Sequence, residues 1–141
     1  MRPKYRQIAV TGLIFILIAA LAWKYAYRKT EPNVSSKKAD YALDASVLVT
    51  AFETDENAAN ELYLNRIISV TGTVESVSED SIGISVYIKE PDDLSGIICG
   101  FELDAEDITG IDKGDQVTIK GVCTGYLMDV VLNHCVVETG L

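Results

Sequence analysis

Three cysteines, Cys99, Cys123 and Cys135, and the single histidine, His134, are the residues of this 141-residue chain suited to redox, nucleophilic or metal chemistry. All four fall in segments with strand-like alternation. A turn at Asp129 sets Cys123 and Cys135 opposite each other, six positions on either side. In an oxidising compartment that pair invites a disulfide, which would add about 2–3 kcal/mol by closing a short loop. Two other readings stand beside it. The three thiols are also suited to a buried role as small apolar side chains. A structural zinc would have to take His134 as its fourth ligand, at a spacing that is no known zinc pattern. There is no C-x-x-C, so thiol oxidoreductase chemistry is not expected. His134 has no recognisable nucleophile motif around it and reads as a surface or hydrogen-bonded strand histidine.

The remaining candidates are weaker. Glu102, Asp104, Glu106, Asp107, Asp112 and Asp115 do not follow the spacing of a calcium loop and read as a solvated acidic face. Gly110-Ile111-Asp112-Lys113-Gly114 lacks the spacing and the Lys-Ser/Thr ending of a phosphate loop. Tyr63, Tyr87, Phe101 and Tyr126 would suit a stacking platform for bases or sugars, though core and rim aromatics account for them as well. No pair of carboxylates, nucleophile or base is spaced for catalysis, so no enzymatic activity and no cofactor are expected.

Charge separates the chain into two parts. Residues 1–30 hold six Lys/Arg and no acid, whereas residues 39–141 hold four Lys/Arg against 20 of the 21 acids, a net charge of −16. Binding to nucleic acid rests on phosphate neutralisation by Lys and Arg, and the acidic part is poorly equipped for it. Residues 1–7 form a basic tail, and Gln7 to Trp23 is 17 residues without a charge. That run spans about 25 Å as a helix, a little short of a bilayer core. Trp23, Tyr25 and Tyr27 suit the interfacial belt and Lys24 can snorkel, which sets a transmembrane anchor at 8–27. Ala20-Leu21-Ala22 leaves a cleaved signal peptide open as the alternative. No cysteine lies near this segment to carry a lipid. A short basic tail ahead of the first apolar stretch favours a cytoplasmic N-terminus, so the acidic part is expected outside the inner membrane, on its periplasmic face. Residues 28–43, with Pro32 and two serines, read as a flexible tether.

From Asp44 to residue 141 the pattern is that of one soluble domain. Asp44 is placed to cap a short helix with Leu48 and Phe52 on one face, and Asp55 and Glu56 open a second with Ala59, Leu62 and Tyr63 on its buried side. After Asn65 the period changes to two. Ile68, Val70 and Val74 mark a first strand coiled around Gly72, and Ile82, Ile84, Val86 and Ile88 mark a second. Ile97, Cys99 and Phe101 mark a third, Val117 to Cys123 a fourth interrupted by Gly121, and Val130–Val137 a fifth. Residues 102–114 connect the third and fourth as a short helix or turn ending at Gly110 or Gly114. Five short strands, two broken by glycine, point to a small closed barrel, with an open sheet as the alternative.

The stretches NELYLNRIISVTGTVESV, GIICGFEL and KGDQVTIKGVCTGYLMDVVLNHCVV resemble the anticodon-binding-like OB-fold family of bacterial lipoproteins and membrane-anchored proteins. The resemblance runs from about Asp44 to Val137. It implies a mainly β fold: a five-stranded Greek-key OB barrel behind a short helical pair, exported and tethered. In such a barrel the third and fifth strands are neighbours, so a Cys99–Cys135 bridge is a further implied pairing. Members of the family often begin with a lipid-modified cysteine, where this chain has an apolar span. The combined expectation is a membrane-anchored binding or interaction module of the bacterial envelope, with a protein or envelope component as partner. Receptors for a small ligand or oligosaccharide, and single-stranded nucleic-acid binding, are the alternatives.

Overall fold

The computed structural model describes residues 3–27 and 33–138. They form two separate units. The first is helix α1, Pro3–Ala26, with a mean hydropathy of 2.0 and no buried residue. Its 24 residues span about 36 Å, enough to cross a bilayer, and a signal sequence meets the same test. Proline at its first position costs no hydrogen bond, because that N–H has no partner within a helix anyway. Trp23 stacks on Tyr27 at 4.9 Å, on the aromatic end of the helix.

The second unit begins inside the segment read as a tether. Residues 28–32 of that segment lie outside the described residues. Residues 33–43, however, pack on the domain. Val34 is buried, and Tyr41–Asp44 forms strand β1, parallel to the strand that starts at Ile67. Lys120, itself buried, donates to the carbonyls of Lys37 (2.8 Å) and Ser35 (3.5 Å). An ammonium taken out of water needs such partners, and here backbone oxygens of the arriving chain supply them. The composition of this stretch resembles a linker because the contacts that hold it come from a residue over 80 positions away.

Helix α2, Ala45–Thr54, follows at once and buries Ala45, Leu48, Val49 and Phe52, spaced at i, i+3, i+4 and i+7. Asp44 precedes it in an extended conformation, as expected, but its side chain makes no capping bond. Helix α3, Glu56–Tyr63, opens at Asp55 and Glu56 as expected, and the Asp55 side chain also caps it, accepting from Ala58 N–H at 3.1 Å. Its buried side is Ala59 and Tyr63; Leu62, expected there too, is half exposed.

Five strands close the barrel in the order β2-β3-β4-β6-β5, with β5 returning to β2. They are β2 (Ile67–Glu79), β3 (Ile84–Ile88), β4 (Ile97–Phe101), β5 (Gln116–Leu127) and β6 (Asp129–Val137). Strand β2 serves both halves of the wall. Its first half pairs with β5 from Ile67↔Val122 to Thr73↔Gln116, and its second half pairs with β3 from Val74↔Ile88 to Glu79↔Ile84. The register shift falls between Val74 and Ser76, not at Gly72 as expected. Gly72 is needed for a different reason: a Cβ there would stand 2.5 Å from Ile88 Cγ2 and 2.8 Å from Ala45 Cβ. Ile82, expected in β3, lies in the preceding turn and is 83% exposed. Asp80 captures that turn by accepting from the N–H groups of Ile82 (2.7 Å) and Gly83 (3.0 Å). The core runs through Val70, Val86, Ile97, Ile119 and Leu132, with Phe52 and Leu48 of α2 packed into it. Burying a side chain such as Phe52 contributes about 1.5–3 kcal/mol.

Candidate functional site

Alternation along β3, β4 and β6 points Val86, Ile88, Ile97, Cys99 and Leu132 into the core. Ser85, Tyr87, Ile98, Gly100 and Val131, all half-buried, are left on the outer wall. A depression lies at each end of the β3–β4 ladder. At the Ile84–Phe101 end, a hollow of about 360 Å³ is lined by Asp80, Ser85, Gly100, Glu102, Asn133 and His134. At the Ile88–Ile97 end, a cleft of about 530 Å³ lies among Phe52, Glu53, Glu56, Leu94, Ser95, Tyr126 and Met128.

The first hollow owes its shape to two glycines. A Cβ on Gly100 would stand 3.1 Å from Asn133 Oδ1, and one on Gly83 would stand 2.6 Å from the Phe101 carbonyl. His134 lies on the rim in the left-handed region (φ 53°), its Nδ1 3.5 Å from Glu102 Oε1. Hydrogen bonds from Ile82 N–H and then Gly83 N–H hold the Asp80 carboxyl below its usual range, so it is anionic at neutral pH. Carboxylates, an amide and an imidazole give this hollow polar groups and a negative bias.

The second cleft is built differently. The Phe52 ring forms the floor and stacks on Tyr126 at 5.6 Å. Ser95 is buried and donates its hydroxyl to Glu53 Oε1 at 2.6 Å, joining the end of α2 to the segment before β4. Leu94 and Met128 stand beside it, 90% and 82% exposed. Met128 turns the β5–β6 hairpin with φ 68°.

The cysteines do not fall where spacing alone sets them. The hairpin turns at Met128, with Leu127 opposite Asp129, and a register shift between Cys123 and Gly125 then sets Cys123 opposite Leu132. Cys135 instead faces Gly121, where a Cβ would stand 2.6 Å from its Sγ. Its thiol donates to the Leu132 carbonyl at 3.4 Å and lies within interaction range of Cys99 on the parallel partner strand. The neighbouring Cys135 thiol first, and burial second, push the Cys99 thiol well above its usual range; burial pushes Cys123 up. All three are free thiols here. Among the described residues no three His, Cys, Asp or Glu side chains converge as metal ligands.

The four aromatics weighed as a stacking platform do not share one face, although Tyr63 and Tyr126 both lie against Phe52. Tyr63 and Phe101 are buried in the core, Tyr126 stacks on Phe52, and Tyr87 donates to Asp129. Of the four basic residues beyond residue 38, Lys120 is buried and bound to Glu138 at 3.6 Å, and Lys113 pairs with Glu75 at 3.1 Å. The second cleft went unread in the sequence because its parts come from four separate segments. The one local signal was an exposed-type turn position occupied by Met128 instead of glycine or asparagine.

The tRNA_anti-like family model matches residues 1–137 of the chain. Among solved structures, the chain is similar to a lipoprotein of Klebsiella pneumoniae subsp. pneumoniae proposed to bind nucleic acid. The two are 15% identical with a TM-score of 0.60, over 79% of this chain and all of that one. A proposed aspartyl-tRNA synthetase from Leishmania major is 12% identical with a TM-score of 0.44, over 85% of this chain and 26% of that one. No curated protein matches. At these identities the likeness to the Klebsiella protein is one of fold.

Proposed function

The chain belongs to the tRNA_anti-like family, and from that premise we propose that it is a non-catalytic binding module of the bacterial envelope, anchored in the inner membrane by α1 with its barrel on the periplasmic side. The barrel would take a protein or another envelope component on its outer wall. The observation that carries this reading is the charge of the barrel domain as a whole. Beyond residue 38 there are 20 acids against four Lys/Arg, and two of those four are already tied to Glu75 and Glu138. A nucleic-acid strand would find few cations to replace its counterions. A protein partner needs none.

Two measurements test this. Full-length protein should stay in the membrane pellet after alkaline carbonate washing, and external protease should reach the barrel in spheroplasts. Recovery in the soluble fraction would overturn the anchor and favour a cleaved leader. In detergent, the full chain should not bind a fluorescent 20-nucleotide single strand at low salt. Submicromolar, salt-steep binding would replace the proposed partner class by nucleic acid.

The hollow beside His134 favours a second reading, a receptor for a small polar ligand or oligosaccharide, because Ser85, Asn133 and Glu102 converge on it. That reading predicts saturable thermal stabilisation by such a ligand.

A further inference from the structure

Large apolar side chains on a protein surface are ordinarily scattered, but three of the four most exposed in this barrel gather at one end. Four of them in the described barrel are more than 80% exposed: Ile82, Leu94, Leu127 and Met128. Leu94 and Met128 line the cleft floored by Phe52 and Tyr126, and Leu127 adjoins it in the hairpin. The backbone adds an independent observation. Met128 adopts the left-handed conformation at φ 68°, which disfavours any side chain with a Cβ and which a hairpin turn usually fills with glycine or asparagine. A long, adaptable thioether kept there at a conformational cost, and held out into water, is suited to contact. The polar lining has one sign. Glu53 and Glu56 stand on the cleft, Asp92 and Asp93 precede Leu94 in the chain, and no Lys or Arg lines it.

We propose that this cleft docks a segment of a partner protein in which an apolar side chain is flanked by Lys or Arg. The apolar group would cover the Phe52–Tyr126 stack between Leu94 and Met128, and the cation would face Glu53 and Glu56. Apolar contact supplies the affinity, and the rim carboxylates select basic partners over acidic ones. Anionic lipid headgroups would meet like charge here. The proposal rests on the binding-module reading and narrows it to one site and one partner chemistry.

The test is photo-crosslinking of the full-length protein in its own cells. Benzoylphenylalanine replaces Met128, and separately Leu94, with Val131 on the outer wall as a reference position. Expected is one discrete protein adduct from 128 and 94 whose crosslinked peptide carries Lys or Arg near the attachment point. Its yield should fall roughly tenfold in Glu53→Lys/Glu56→Lys, while thermal unfolding shows the variant still folded. An adduct without basic residues, one indifferent to the charge reversal, a lipid adduct, or a second copy of this chain would each overturn the proposal. Adducts from 131 alone would overturn it and leave the binding-module reading standing. Adducts from none of the three positions would sink both.

Discussion

Tyr87 donates its hydroxyl to Asp129 Oδ1 at 2.9 Å, and the same oxygen accepts the backbone N–H of Gly96 at 2.8 Å. One carboxylate thus joins β3, the entry to β4 and the first residue of β6. It ties the two loops at that end of the barrel to the wall between them.

That arrangement should be visible in alkali. Burial first, and the Asp129 carboxylate second, push the Tyr87 phenol up to about 12. A phenol raised in the folded state contributes stability that is complete below its unfolded value of about 10 and is lost as pH rises through 12. The absorbance titration of the full chain at 295 nm should therefore show a late phenol near pH 12 that Tyr87→Phe removes. Asp129→Ala should cost about 1–3 kcal/mol, more than Tyr87→Phe, because it also leaves the buried Gly96 N–H without an acceptor. Equal losses in chemical denaturation would show that the Gly96 bond contributes nothing.

Gly121 and Cys135 form a size-matched pair across β5 and β6, with 2.6 Å between a virtual Cβ and the sulfur. Gly121→Ala should destabilise by about 2 kcal/mol through overpacking. Adding Cys135→Ala should recover part of that loss, which a double-mutant cycle measures. If the two effects simply add, the clash is relieved elsewhere.

The thiols should react in a set order. With Cys99 raised by the neighbouring Cys135 thiol and by burial, and Cys123 raised by burial, little thiolate forms at neutral pH. Native alkylation should be slower than that of an exposed thiol by at least about tenfold. Under diamide, the contact between Cys99 and Cys135 predicts that these two close and that Cys123 remains to be tagged after denaturation. A Cys123–Cys135 linkage in the peptide map would instead support the pairing that spacing alone suggests.

Lys120 should decide whether residues 33–40 stay on the barrel. Lys120→Met removes its bonds to the Ser35 and Lys37 carbonyls and its pairing with Glu138, which also accepts from the Ser69 hydroxyl. The expected loss is about 1–3 kcal/mol, with new protease cuts between Asn33 and Asp40. An unchanged digestion pattern would mean that β1 and Val34 suffice.

Much of the barrel was legible because period-two alternation survives wherever one face is buried. Ile84 to Ile88 and Ile97 to Phe101 are plain examples. The errors arose where a long-range contact overrides the local pattern. Ile82 continues the alternation of β3, yet Asp80 folds the chain into a turn first. Tyr41–Asp44 is only four residues long and sits in linker-like composition, so its pairing with β2 left no local trace. The cysteine register differs from the count because the hairpin is centred on Met128, not Asp129, and a shift between Cys123 and Gly125 is invisible to counting from the turn. The larger cleft was out of reach for a similar reason: its floor and walls come from α2, α3, the segment before β4 and the hairpin tip.

The double role of β2 fixes when this fold can exist during synthesis. One edge of its first half waits for β5, since Ile67 pairs with Val122, and the outer edge of β4 waits for β6, since Ile97 pairs with Val130. Until the last strand has emerged, no closed subset of the wall is available. The wall therefore closes only near the chain's end, while the β5-facing edge of β2 spends that interval with unpaired backbone exposed to capture by chaperones.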